Sequence, residues 1–222
     1  TTPNTLGEGE HQFLSFLRDE MKKPGFDINQ RIVMTSNDGD VFFLALQTHL
    51  PNVYWRKFYD RNFGGYFTFD ISKARAKIAK DYETKGDVNR VIDDIIFLST
   101  LCENDNLATF YDIKNNIEHL SFLLNIYKEL DGFLIDNQCI IRPNLKKYIE
   151  LFKNENTCKC LYKGECLESA ANDTLRTLAW IIKYYQSGVP DWTWAFKYIN
   201  EQPPFCMLYD YVDSFDDIFE LG

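Results

Sequence analysis

The stretch RIVMTSNDGDVFFLALQTHLP, residues 31–51, decides the fold. Arg31 to Ser36 is a short β-branched run, the signature of a buried strand. Asn37-Asp38-Gly39-Asp40 follows as a turn, with Gly39 letting the backbone bend sharply. Asp40 to His49 reads as a helix that ends before Pro51. Asn52 to Phe58 reads as a second strand. Upstream, residues 10–23 carry Phe13, Leu14, Leu17 and Met21 on one helical stripe, and Pro24-Gly25 ends it. Helix, strand, helix and strand joined by short connectors point to an α/β sheet with parallel strands.

Beyond residue 70 the pattern turns helical. Ile71 to Tyr82 carries Lys73, Arg75, Lys77 and Lys80, read chiefly as a solvated helix face. Val88 to Cys102 and Ile117 to Leu130 repeat apolar residues near a 3.6-residue rhythm. Phe133 to Ile141 reads as a short hairpin or extended piece. Asn144 to Phe152 reads as a helix, with Pro143 where helices commonly start. Residues 153–170 are polar and read as a linker. Leu175 to Tyr185 is helical again, Gly188 to Phe205 is rich in Trp and Pro and irregular, and Tyr209 to Glu220 is an acidic tail. In that tail Asp210, Asp213, Asp216, Asp217 and Glu220 are expected to be solvated. They alternate with Tyr211, Phe215, Ile218, Phe219 and Leu221, a pattern that suits docking on a partner's groove.

The 222 residues include 24 Lys+Arg and 33 Asp+Glu, a formal charge of −9. This argues against wrapping nucleic acid by bulk positive charge. It does not exclude a nuclease, whose site is itself acidic. The longest unbroken apolar run, Val41 to Leu46, is far short of the roughly 20 residues of a spanning helix. Thr1-Thr2-Pro3-Asn4 shows no basic and apolar leader pattern, so the expected compartment is the cytoplasm, with the nucleus as an alternative, and no membrane association is expected. Cys102, Cys139, Cys158, Cys160, Cys166 and Cys206 read as reduced thiols in a chain of this size and composition. Cys158-x-Cys160-x5-Cys166 lacks the fourth ligand and the spacing that zinc prefers.

Three acidic clusters sit at turns: Gly7-Glu8-Gly9-Glu10-His11 before a helix, Asn37-Asp38-Gly39-Asp40 after a strand, and Glu103-Asn104-Asp105 after the helix from Val88. The second lies at the carboxyl end of a strand, where open α/β sheets bind ligands. Crowded carboxylates repel one another, and hard divalent cations relieve that repulsion while bridging to phosphate. The set therefore suits metal-dependent phosphodiester hydrolysis. Each cluster also has a capping explanation: Glu8 or Glu10 for the first helix, Asp38 or Asp40 for the second.

Those same residues resemble the XRN family of 5′→3′ exoribonucleases. Gly7-Glu8-Gly9-Glu10-His11 followed by Phe13-Leu14-x-Phe16-Leu17-Arg18 is similar to the family's GEGEH segment. Asn37 to Pro51 is similar to its Asp-x-Asp stretch, and Ile92 to Leu98 with Glu103-Asn104-Asp105-Asn106-Leu107 to its IDD and GND stretches. Ile117 to Tyr127, Gly132 to Asn137, and Leu178 to Trp194 follow in the family's order. The resemblance runs over about residues 6–198.

The resemblance implies an α/β fold: a partial parallel sheet with flanking helices, similar to PIN and flap nucleases, then a mainly helical region. Residues 1–70 would be the α/β part of a nuclease core and 71–152 its helical part. Residues 153–170 would be a linker, and 171–222 a helix and Trp-rich segment packing back on the core. It implies that Glu8, Glu10, Asp38, Asp40 and Asp105 are ligands of Mg²⁺ or Mn²⁺, or neighbours of those ligands. One of Trp192 and Trp194 would stack on a base near the RNA 5′ end. The implied activity is Mg-dependent hydrolysis of 5′-monophosphorylated RNA to mononucleotides.

The departures are Glu103 in place of a Gly, Asn106-Leu107-Ala108 in place of Phe-Leu-Pro, and residues 197–201. The family's N-terminal segment does not occur, so an N-terminal nuclease segment or second chain is the expected partner. The alternatives are a catalytically degenerate module that binds RNA or protein, and a scaffold in which the carboxylates are only caps.

Overall fold

The structure, a computed structural model, describes residues 8–59, 64–102, 104–155, 167–198 and 203–216. It divides into two units, Thr1–Ile92 and Asp93–Gly222.

In the first unit, α1 (Gly9–Met21) precedes β1 (Ile32–Thr35), α2 (Val41–Gln47), β2 (Val53–Phe58), β3 (Tyr66–Asp70) and α3 (Ile71–Asp81). Leu14 and Leu17 of α1 are buried, and Gly25, at φ 83°, turns the chain away after the helix. A left-handed His49 at φ 55° follows α2, just ahead of Pro51. β1 and β2 pair in parallel, from Ile32↔Val53 to Thr35↔Arg56. A parallel pair needs a crossover, and α2 supplies it.

The two expected strands are parallel, and β3, which was not expected, adds an antiparallel edge, pairing with β2 from Tyr54↔Asp70 to Phe58↔Tyr66. The sheet is mixed, in the order β1-β2-β3. The connector from β2 to β3 is short, which suits an antiparallel return. Its aromatic run lacks the inside-outside alternation that marks a half-buried strand: Tyr66, Phe67 and Phe69 are all exposed. Trp55 on β2 is buried against Phe69, ring centroids 4.8 Å apart, and its Nε1 donates to the Ser36 carbonyl at 3.0 Å. On α3, Arg75 donates to Asn89 and Lys77 pairs with Asp81. These are the contacts of a solvated face.

α4 (Val88–Thr100) spans the division between the units. The second unit continues with α5 (Ile117–Glu129), β4 (Ile135–Asp136), β5 (Cys139–Ile140), α6 (Arg142–Glu155) and α7 (Leu167–Ser187), then a 3-10 helix, Phe205–Tyr211. β4 and β5 form the expected hairpin. Asn137 and Gln138 are both left-handed, φ 47° and 64°. That is the geometry of a two-residue turn whose twist matches the strands. Gly132 is also left-handed at φ 103°, and a Cβ there would lie 2.9 Å from Asn144 Nδ2. That amide donates to the Phe133 carbonyl at 2.6 Å.

Asp94 is fully buried. Its Oδ2 accepts from the Tyr127 hydroxyl at 2.6 Å and the Leu134 N–H at 2.8 Å. Its Oδ1 accepts from the Ile135 N–H at 2.9 Å. Burial still pushes this carboxyl up to about 7. Asp112 does similar work, accepting from the Phe205 and Cys206 N–H groups at 2.7 and 3.1 Å. Phe205 in turn packs edge-on against Phe110 and Phe152, centroids 5.5 and 5.3 Å away.

Two expectations change in this unit. The carboxylates of Asp210, Asp213 and Asp216 are exposed as expected, while the chain carrying them, as far as Asp216, packs on its own α6. Arg142 donates to the Asp213 and Phe215 carbonyls at 2.9 and 2.8 Å, Lys146 pairs with Asp213, and Phe215 is buried. The buried Phe215 and the carbonyls near it gain their partners from within the unit. The second change is at Cys206, which is disulfide-bonded and not the reduced thiol expected. Cys102 and Cys139 are free. Cys158, Cys160, Cys166 and Glu103, and most of the expected linker 153–170, lie outside the described residues. No helix among the described residues is long and apolar enough to cross a membrane.

Candidate functional site

In the first unit the acidic turns meet at Ser36, where β1 ends. The Ser36 hydroxyl donates to Glu10 Oε1 at 2.7 Å and accepts from the Asp38 N–H at 3.1 Å. Asp38 Oδ1 accepts from the Asp40 N–H at 3.1 Å. Asn37 Oδ1 accepts from the Phe58 N–H at 2.9 Å and ties the turn to β2. The sheet thus carries one chain of contacts: Glu10, Ser36, Asp38, Asp40. Glu8 stands at the N-cap of α1 and Asp40 at the N-cap of α2, yet neither makes a side-chain capping hydrogen bond. The capping explanation therefore does not account for either. Asp38 and Asp40 are exposed, and Glu10 is half-buried.

His11, beside Glu10, is buried. Burial lowers its imidazole to about 4, with Arg18 acting in the same direction and Glu10 opposing. It is neutral at pH 7 and adds no cation to the cluster.

Ser36 is the member that reading the sequence for carboxylates misses. Its signal is local: a hydroxyl two residues before an Asp folds back on that residue's N–H.

Carboxylate and hydroxyl oxygens are the donor type that Mg²⁺ or Mn²⁺ prefers. Among the described residues, no group of three or more His, Cys, Asp or Glu is gathered closely enough to hold an ion. The donor chemistry fits, and the number assembled falls short of a shell.

In the second unit Asp105 sits in a turn closed by the Leu107 N–H to the Asn104 carbonyl at 3.2 Å. Asn104 Oδ1 also accepts from the Asn106 N–H at 2.9 Å. Asp105 lines a cavity of about 360 Å³ with Asn106, Leu107, Trp180, Trp194 and Phe196. Sequence reading did not anticipate Trp180 there, because its position on α7 resembles a plain core anchor. Trp194 lines this cavity, whereas Trp192 is 54% exposed and does not. The Trp194 Nε1 donates to Thr177 Oγ1 at 3.2 Å, and the Arg176 guanidinium lies over its ring, 4.6 Å from the centroid. Asp105 and one candidate tryptophan therefore share one pocket, while Glu8, Glu10, Asp38 and Asp40 belong to the other unit.

Residues 1–56 match the family model described as "XRN 5'-3' exonuclease N-terminus". Over 173 residues, 65% of the chain, it is 27% identical to 5'-3' exoribonuclease 1 of Homo sapiens, covering 10% of that protein. Over 193 residues, 75% of the chain, it is 24% identical to 5'-3' exoribonuclease 1 of Schizosaccharomyces pombe, covering 14% of that protein. Over these stretches the chain is similar to XRN 5'-3' exoribonucleases. A 49-residue stretch is 39% identical to a 5'-3' exoribonuclease 2 homolog of Drosophila melanogaster, covering 5% of that protein. The chain thus spans only 10% and 14% of the length of the first two of these relatives. The matched residues 1–56 contain all four carboxylates joined through or flanking the Ser36 contacts.

Proposed function

We propose that this chain contributes part of the site of an XRN-type 5′→3′ exoribonuclease built on a PIN- or flap-nuclease-like core. The substrate is RNA with a 5′-monophosphate and the products are mononucleotides. An N-terminal nuclease segment or second chain supplies the remaining ligands. The observation that carries this reading is the contact chain from Glu10 through Ser36 to Asp38 and Asp40, with the Glu8 and Asp40 side chains not used as caps.

Glu8, Glu10, Asp38, Asp40 and Asp105 would hold Mg²⁺ or Mn²⁺, which when bound would neutralise phosphate oxygens during the displacement. Ser36 holds the Glu10 carboxylate in place, and the Asp38–Asp40 turn presents its carboxylates at the end of β1. In the cavity, Trp194 offers a stacking surface for a base near the 5′ end. Hydrolysis adds water at the phosphorus between the first two nucleotides and expels the first nucleotide's 3′ oxygen. The new 5′ phosphate stays on the shortened RNA.

The test is release of mononucleotides from 5′-monophosphorylated RNA, with Mg²⁺, by the chain together with its N-terminal segment. Asp38→Ala and Asp40→Ala are each expected to lower the rate at least a hundredfold, and unchanged rates would reject the reading. The second reading is a degenerate XRN-like module that binds RNA or protein without cleaving. The absence of three gathered ligands among the described residues favours it. RNA binding that survives both substitutions, with no cleavage by the parent assembly, would select it.

A further inference from the structure

We infer that Arg176 and Thr177 are positioning residues that aim Trp194 at an RNA base. This rests on the stacking reading of Trp194 given above. On α7, residues 173, 176, 177 and 180 share one stripe, since helical neighbours three and four apart face the same way. Each of the four grips a different point of the segment that carries Trp194. Asp173 Oδ2 accepts from the Lys197 N–H at 3.0 Å. The Arg176 guanidinium covers the Trp194 ring at 4.6 Å. Thr177 Oγ1 accepts from Trp194 Nε1 at 3.2 Å, and the Trp180 Nε1 donates to the Asp191 carbonyl at 3.0 Å. The Thr177 hydroxyl spends its own proton on the Asp173 carbonyl at 2.8 Å, so a lone pair remains for the indole.

An aromatic ring has two faces on which a base can stack. With the guanidinium over one, only the opposite face is left. The indole hydrogen bond then fixes the rotation of the ring in its plane. A ring held this way loses little freedom when it binds, and that lowers the ordering cost of association. The guanidinium also draws on the ring's quadrupole, an attraction that Lys retains in part and Ala loses.

The test is the affinity of this chain, together with its N-terminal segment and without divalent cation, for a 5′-monophosphorylated oligoadenylate carrying a 3′ fluorophore, read by anisotropy. Trp194→Ala is expected to weaken binding about five- to 150-fold, the range of one base stack. Arg176→Ala is expected to weaken it about two- to fivefold, and Arg176→Lys to recover most of that. In the Trp194→Ala background, Arg176→Ala should add nothing. Thr177→Val, which keeps the β-branched shape, should also lower affinity, and it keeps the question answerable if Arg176→Ala fails to fold. An equal Arg176→Ala loss in both backgrounds would overturn the positioning role, as would no loss from Arg176→Ala and Thr177→Val in the parent. No binding by the parent assembly, or unchanged binding by Trp194→Ala, removes the stacking reading itself and this inference with it.

Discussion

Carboxylates in the two units meet opposite fates. In the second unit Asp94 is sealed from water and takes three donors, two of them the backbone N–H groups of Leu134 and Ile135. In the first unit Asp38 and Asp40 stand exposed at the end of a strand, and Asp38 accepts from a neighbouring N–H in its own turn. A carboxylate surrounded by donors pins a backbone. One exposed at a turn pins no buried backbone, as the proposed metal-ligand role requires. Residue type alone does not separate the two roles; donor count and burial do.

The largest test of that contrast is truncation. Asp94→Ala leaves three buried donors unpaired and should cost about 3 kcal/mol or more by chemical denaturation, since each unsatisfied group costs about 1–3 kcal/mol. Asp38→Ala and Asp40→Ala should each stay within about 1 kcal/mol, as exposed sites do. A large stability loss at Asp38 would erase the distinction.

The pH dependence sharpens it further. The Asp94 carboxyl sits at about 7 in the fold against 3.8 when exposed. Between those values the folded chain keeps a proton that the unfolded chain releases. Its contribution to stability therefore falls as pH rises through that window and levels off above it. His11 runs the other way: lowered from 6.5 to about 4, it is neutral in the fold where the unfolded chain is charged. Its contribution rises with pH from about 4 to 6.5. Denaturation midpoints of Asp94→Asn and His11→Gln, followed against pH, should differ from the parent with slopes of opposite sign. Matching slopes would contradict the burial argument.

A smaller effect is expected at Asp112, whose truncation to Ala leaves the Phe205 and Cys206 N–H groups without their acceptor. The cost should be about 1–3 kcal/mol. Ser36→Ala should cost about 1 kcal/mol in stability, because it removes one ordinary hydroxyl and its two partly exposed contacts. Its activity loss in the assembled enzyme should exceed that, if Ser36 serves to hold Glu10.

Much of this could be read before the structure. The β-branched run at Ile32 to Thr35 and the 3.6-residue rhythm from Val88 and from Ile117 each marked an element, because burial of one face imposes a period. β3 escaped notice because Tyr66, Phe67 and Phe69 are all exposed and no face is selected. α7 starts at Leu167, ahead of the expected Leu175. Its first turns bury Ala170 and Ala171, small residues that leave little trace in a hydrophobic pattern. The acidic residues were legible as chemistry. Ser36 and the pairing of Asp105 with Trp194 in one cavity were not, since contacts across 26 or more residues depend on tertiary packing.

The strap from Phe205 to Asp216 has a practical consequence for where the chain can be cut. Tyr209 bonds to Glu150 at 2.7 Å and lies under the Lys146 and Lys153 cations, while Arg142 covers Phe215. A protease working on the native chain should therefore spare this stretch, and a fragment ending before Phe205 would strip an aromatic ring from the middle of its cluster. Any shortened version meant to keep the second unit intact has to retain Phe205 to Asp216.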